Sequence, residues 1–270
     1  MAMHITGMKL FYSFLCLLVV FIVSTFIGAI QADAAVDENT VAVWLFEEGA
    51  GNVVKDASGN GHDGEFEGSP KWVKGKFGTG LEFPGDSSGY VVVNSTKQLE
   101  LEELSIEAWV KVEESTGKWQ GMVCKQQAGC GNRNYGIWVH VDQSVLHAQI
   151  GANGACAFSI DGTTDITDDK WHHLAFTFDG KMGRVYVDGE LENEAPNDAT
   201  FQSADPITIG VPNLNNANGL KGIIEEIRIS NTARTEKEIQ EAMDLGLATI
   251  LSVEPGGKLS TRWAYLKHVP

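Results

Sequence analysis

Proline is scarce in this chain, 7 residues in 270 against 30 glycines, and basic residues are outnumbered, 20 lysines and arginines against 36 aspartates and glutamates. The first shortage, in a chain that is 43% hydrophobic and 21% charged, excludes a proline-rich or disordered polymer and leaves a folded chain with many tight turns. The second gives a formal charge of −16, which repels a phosphate backbone instead of releasing its counterions, so nucleic acid is not an expected partner. A solvated acidic surface explains that balance; clustered carboxylates could also hold calcium, and net charge does not separate the two. Internal repeats are missing. A phosphate loop is missing as well, because Gly49-Ala50-Gly51 is too short and wrongly placed to be one. The length admits one large sandwich with short extensions and leaves little room for a second domain.

Charge is also lacking near the amino terminus. Lys9 precedes an uncharged apolar stretch over 10–30, and Ala32-Asp33-Ala34 then supplies the small, polar, small pattern of a cleavage site. Residues 1–34 are therefore expected to be an export signal, with an uncleaved membrane anchor as the alternative because the stretch is long enough to span a bilayer. Cys16 lies inside it, but the bulky Leu15 before it argues against lipidation. A secreted or cell-surface location follows, with membrane contact only through this segment if it stays uncleaved. The tail over 251–270 breaks at Pro255-Gly256-Gly257 and has no assigned role.

Only Cys124, Cys130 and Cys156 remain after the signal, so at most one internal bridge can form. Residues 135–150 suggest a hairpin turning at Asp142-Gln143-Ser144. Pairing about Gln143 sets His140 opposite Leu146 and Gly136 opposite Ile150, and extending that register sets Cys130 opposite Cys156, within the reach of about 7 Å that a disulfide needs. That bridge, with Cys124 a free thiol on the neighbouring strand, is the expectation; three reduced cysteines are the alternative. The same register puts Trp138 and His140 on the face of Leu146 and Ala148, which implies core packing.

From Val41 onward, short runs of period two are bounded by glycine-containing turns, the pattern of an all-β sandwich. Over 104–112, Ile106, Ala108, Val110 and Val112 share one face, and the other face is partly apolar too, which predicts a central strand. Asp188-Gly189 predicts a two-residue hairpin turn, and Asp161-Gly162 and Asp179-Gly180 mark further turns. One helix is predicted, opened by a capping box at Thr235 and Glu238, with Ile239, Ala242 and Met243 on its apolar stripe and an end by Gly246.

Four ordered stretches carry a family likeness: WLFEEG at 44–49 with DASGNG at 56–61; LSIEAWV at 104–110; WHHLAFTFDG at 171–180 with YVDG at 186–189; and GIIEEIRI at 222–229. Together they resemble the laminin-G-like domains of the concanavalin A-like lectin and glucanase superfamily. The resemblance implies a jelly-roll sandwich of two antiparallel sheets over 35–250, with the one short C-terminal helix. It further implies a module that binds sugars, glycoproteins or matrix components, often with a calcium ion. In related domains that ion sits where the 56–63 loop meets the last strand, so Asp56, Asn60, His62 and Glu225 are its candidate ligands here. On alternation Glu225 shares the inward face of Ile223, Ile227 and Ile229 and needs a partner: either the cation, or hydrogen bonds from the Asp56 loop without metal.

Other constellations are weaker. His172 and His173 point to opposite faces of a strand and do not share a metal. The superfamily's glucanases place two carboxylates on one strand face, and Glu190, Glu192 and Glu194 match that only superficially, without aromatic residues to grip a sugar. Candidate ligand contacts are Trp119, Asn132, Arg133, Asn134 and Tyr135, with the loop 213–218, because a sugar offers both apolar ring faces and hydroxyls. The expected function is a non-catalytic extracellular module recognising carbohydrate or glycoprotein with a structural calcium ion. An adhesive surface protein acting through protein contacts is the alternative, and a polysaccharide hydrolase or lyase stands third.

Overall fold

Period-two alternation resolves into sixteen strands, divided between two antiparallel sheets, among the described residues. In the computed structural model of the chain these residues are 37–251, less 127–132, 153–154, 198–202 and 215–217, and less the side chains of 152 and 155–157. The strands are β1 (Thr40–Trp44), β2 (Val53–Val54), β3 (Gly64–Gly68), β4 (Lys71–Lys74), β5 (Thr79–Pro84), β6 (Gly89–Val93), β7 (Leu104–Val112) and β8 (Gln120–Gln126), followed by β9 (Arg133–Val139), β10 (Leu146–Ala152), β11 (Ala155–Asp161), β12 (Trp171–Phe178), β13 (Met182–Val187), β14 (Glu190–Pro196), β15 (Ile207–Ile209) and β16 (Lys221–Ser230). Helices α1 (Glu236–Leu245) and α2 (Leu247–Leu251) close the described chain. The first sheet runs β14-β13-β12-β7-β16-β5-β4, with β1 also on β16; the second runs β11-β10-β9-β8-β15-β6-β3-β2. The apolar core fills the space between them.

Strand β7 behaves as its alternation predicts. Ile106, Ala108, Val110 and Val112 enter the core, and β12 and β16 bond it from both sides. Asp188 and Gly189 take φ of 51° and 81° in the turn that pairs Val187 with Glu190. Helix α1 begins at the capping box: the Thr235 hydroxyl accepts from Glu238 N and the Glu238 carboxylate accepts from Thr235 N. Ile239 and Ala242 are buried, and Gly246 ends the helix at φ 73°.

Strand β16 has two neighbours in succession along one edge, β5 at residues 221–224 and β1 at 227–230, while β7 lines the other. A bulge at Glu225 and Glu226 separates them, with Glu226 at φ 52°. The extra residue brings Ile224, Ile227 and Ile229 to the core face and turns Ile223 and Glu225 away. Simple alternation had put Glu225 on the inward face. It is fully buried, but under the 75–78 loop on the outer side, where its carboxylate accepts from the backbone amides of Lys76, Phe77 and Gly78. Glu226 likewise accepts from Leu247 N and Ala248 N at the start of α2.

The outer side of this sheet also buries an ion pair, Arg228 Nη2 to Glu107 Oε1 at 2.7 Å. His173 lies beside it, 3.9 Å from Glu107, and its neighbour His172 faces the other way, toward Asp188 at 2.8 Å and Asp168 at 3.2 Å. The two imidazoles do not converge on one point, as expected. Burial, reinforced by Arg228, pushes the His173 imidazole down to about 3, whereas the Asp188 hydrogen bond raises that of His172. A depressed folded value stabilises above the ordinary 6.5 and loses that stability as pH falls; the raised His172 acts in the opposite sense, stabilising below its ordinary value. Acidification from pH 7 to pH 5 is expected to cost about 2 kcal/mol through His173. Urea unfolding at the two pH values checks this, and His173→Gln is expected to remove that part of the pH dependence.

Candidate functional site

The hairpin of β9 and β10 forms where the sequence suggested, but one residue out of step. His140 N donates to Val145 O, closing the four-residue loop 141–144, so the turn centres between Asp142 and Gln143 instead of on Gln143. Trp138 therefore lies opposite His147, and Gly136 opposite Gln149, not Ile150. A shift of one residue exchanges the faces of a strand. Tyr135, Ile137, Val139, Leu146, Ala148 and Ile150 fill the core, and Trp138 packs outside it against His147, ring centroids 6.0 Å apart.

The same correction removes the argument for the disulfide. After Ala152 the chain turns back as β11, which pairs with β10, for example Ala148 with Ile160. The β9–β10 register does not extend to residue 156. Cys130 and the side chain of Cys156 lie outside the described residues. Cys124 is a buried free thiol on β8, and burial pushes it well above its ordinary value.

Two glycines shape the outer face. A Cβ at Gly136 would lie 2.7 Å from the Trp138 ring and from Val123 O, so the bare position lets the indole close over the strand. A Cβ at Gly121 would lie 2.3 Å from Pro212 N, so the 211–212 backbone rests directly on β8. Between these contacts lies a cavity of about 80 Å³ lined by Trp119, Gln126, Arg133, Trp138, Pro212, Asn213 and Asn218. Gln126 Nε2 donates to Pro212 O at 2.7 Å. The Arg133 guanidinium stands 5.5 Å from the Trp138 centroid, within cation–π range, and donates to Gln149 Oε1. Trp119 packs 4.5 Å from both His140 and His147.

Of the candidate ligand contacts, Trp119 and Arg133 thus meet at one cavity, joined by the ends of the predicted 213–218 loop. Tyr135 does not: it is turned into the core, and its hydroxyl donates to Leu99 O at 3.0 Å. Asn134 is fully buried and off the cavity wall, and Asn132 lies outside the described residues. Trp138 and Gln126 were missed. Placing the turn between Asp142 and Gln143 would have found Trp138; no sequence signal marks Gln126.

The proposed calcium ligands are not assembled as a cation site. Both Asp56 oxygens face amides: Val43 N at 3.0 Å and Ser58 N at 2.9 Å on one, His62 N at 2.9 Å on the other. Asn60 donates to Val41 O at 2.9 Å instead of presenting its carbonyl. His62 is buried, with neither ring nitrogen partnered among the described residues, and Glu225 is held by the 76–78 amides. A hard cation needs six to eight converging oxygens; here N–H donors occupy the places a cation would take. The residues do not fit calcium.

Among the described residues, the ligating atoms of His140, His147 and Asp161 approach within 4.8 Å of one another. As placed, Asp161 bonds His147 Nδ1 at 2.5 Å, and His140 Nδ1 accepts from Asp142 N and Gln143 N at 3.2 Å. These nitrogens are engaged within the protein. A larger open groove of about 620 Å³ is lined by Asp37, Glu38, Glu100, Glu102 and Glu103 among others, with no aromatic ring to meet a sugar face.

Comparison with known proteins agrees with the fold. The profile of the Concanavalin A-like lectin/glucanases superfamily matches residues 85–240. No curated protein matches the sequence. Among solved structures, the binding domain of Paraclostridial Mosquitocidal Protein 1 superposes with TM-score 0.64 at 15% identity, over 76% of this chain and 52% of that one. Domain 4 of AbnA, a GH43 extracellular arabinanase from Geobacillus stearothermophilus solved with arabinotriose, gives 0.59 at 22%, over 75% and 97%. A botulinum neurotoxin type C structure, described as dependent on two ganglioside molecules for cell entry, gives 0.59 at 15%, over 80% and 52%. The chain spans about half of each toxin chain and nearly all of the arabinanase domain.

Two outcomes are expected. Gly136→Ala pushes the Trp138 ring off the strand and costs about 1–3 kcal/mol, seen as a lower unfolding midpoint with altered indole fluorescence. Asp56→Ala removes a charged acceptor from three amides and costs about 1.5–3 kcal/mol, by the same amount in calcium as in chelator.

Proposed function

The chain belongs to the Concanavalin A-like lectin/glucanases superfamily, and from that premise we propose that it is a non-catalytic, extracellular module that binds carbohydrate or the glycan of a glycoprotein. The observation that carries this reading is the cavity at Trp119, Trp138 and Arg133. It combines aromatic faces with a small number of polar groups on a rigid sheet, which is what a sugar's alternating apolar and hydroxyl surfaces require. The arabinanase domain, similar over nearly its whole length and solved with arabinotriose, supports a saccharide as the class of ligand.

The carboxylates that could be read as catalytic are committed elsewhere. Glu192 accepts from Thr163 N at 2.7 Å and Thr164 N at 3.2 Å. Glu194 pairs with Arg184 Nε at 3.0 Å. Both sit on β14 at the edge of the first sheet, the other sheet from the cavity. A pair poised for glycoside hydrolysis would face one substrate groove about 5–10 Å apart; these two serve loop and strand pairing.

A glycan array probed with the full chain tests the reading. Binding to at least one saccharide class is expected, weakened about tenfold by Trp119→Ala and unchanged by Glu192→Gln with Glu194→Gln. A blank array, or turnover of a bound glycan, contradicts it.

A further inference from the structure

We propose that the cavity takes a carboxylate-bearing sugar, with the Arg133 guanidinium receiving the carboxylate. This rests on the saccharide reading above and adds the charge of the ligand to it. Two orphaned groups on the cavity wall point the same way. Arg133 Nε is a buried donor, and Gln126 Oε1 a buried acceptor, each without a hydrogen-bond partner among the described residues. The Gln126 amide is oriented by its bond to Pro212 O, so its oxygen, not its nitrogen, is the free end. One wall therefore offers a cationic donor and a neutral acceptor, which suit a carboxylate and a hydroxyl of one sugar.

The surrounding sequence is the second observation. The chain carries 36 acidic residues, yet none falls within 120–141 or within 206–224, the two segments that supply every cavity residue except Trp119, which directly precedes the first. Burial lowers the Arg133 value, and among the described residues no carboxylate counters it. A guanidinium kept free of acids in a chain of charge −16 is an anion receptor, because a partly buried cation needs a counter-charge and its planar fork suits a carboxylate. The volume of about 80 Å³, against roughly 30 Å³ for a water in the liquid, holds a carboxylate and the ring edge beside it. The rest of the ring lies outside, against Trp119. That aromatic contact favours a sugar over an acidic peptide.

The carboxylate could be that of a uronic acid or of a sialic acid, and titration calorimetry separates them. The probes are galacturonate trisaccharide with its methyl ester, sialyllactose with lactose, and a glutamate-rich peptide, each against the full chain. One acidic sugar is expected to bind at least about tenfold tighter than its neutral counterpart. Arg133→Gln should reduce it to the neutral level, and Arg133→Lys should retain part of the preference; the acid-to-ester comparison on the unaltered protein stands even if a variant fails to fold. Equal affinity for charged and neutral forms, or a preference that survives Arg133→Gln, overturns the inference and leaves the saccharide reading in place. Tighter binding of the peptide than of any sugar overturns it too. Absence of binding to every sugar overturns both.

Discussion

The pairing of Trp138 with His147 sets which side chains the second sheet turns to its outer face. Once those two residues face each other, Ile137, Val139, Leu146, Ala148 and Ile150 are committed to the core, and Trp138, His147 and Gln149 are committed to the outside. The period of two leaves no intermediate arrangement. Gly136 and Gly121 then allow the indole and the 211–212 backbone to close on the sheet, and the cavity is the space left between them. The site is thus a by-product of strand register, held by core packing on the opposite face of the same residues.

Acidic residues elsewhere serve a different end. Asp56 ties the 56–62 loop to β1, Glu225 ties the 75–78 loop to β16, Glu226 opens α2, Glu192 holds residues 163–164, and Asp188 accepts from His173 N. In each case a carboxylate accepts from backbone amides of another segment. These five of the 36 acidic residues are therefore structural, held by backbone amides. Against that background the acid-free segments beside Arg133 present contrasting chemistry.

The sequence made the fold legible wherever local chemistry dictates geometry. The β7 alternation, the Asp188-Gly189 turn and the Thr235 capping box each act within a few residues, and each is found as predicted. The errors arise where one residue of register decides the outcome. The 141–144 loop shifts the hairpin and turns Trp138, which is still buried, from the inter-sheet core to the outer face, and the bulge at Glu225 and Glu226 reverses the face of Glu225. Neither has a strong local signal: the register of β16 shifts where its neighbour changes from β5 to β1. Trp119 and Arg133 were legible as aromatic and cationic loop-side residues. That they meet was not, since it depends on the 211–212 backbone resting on β8.

The seven tryptophans allow the most direct test. In a proton–nitrogen spectrum each indole N–H gives its own signal, and adding a bound saccharide should shift those of Trp119 and Trp138 while leaving the core Trp44 and the first-sheet Trp72, Trp109 and Trp171 in place. Shifts confined to Trp72 or Trp171, or saturating sugar that moves none of them, would contradict a binding site on the outer face of the second sheet.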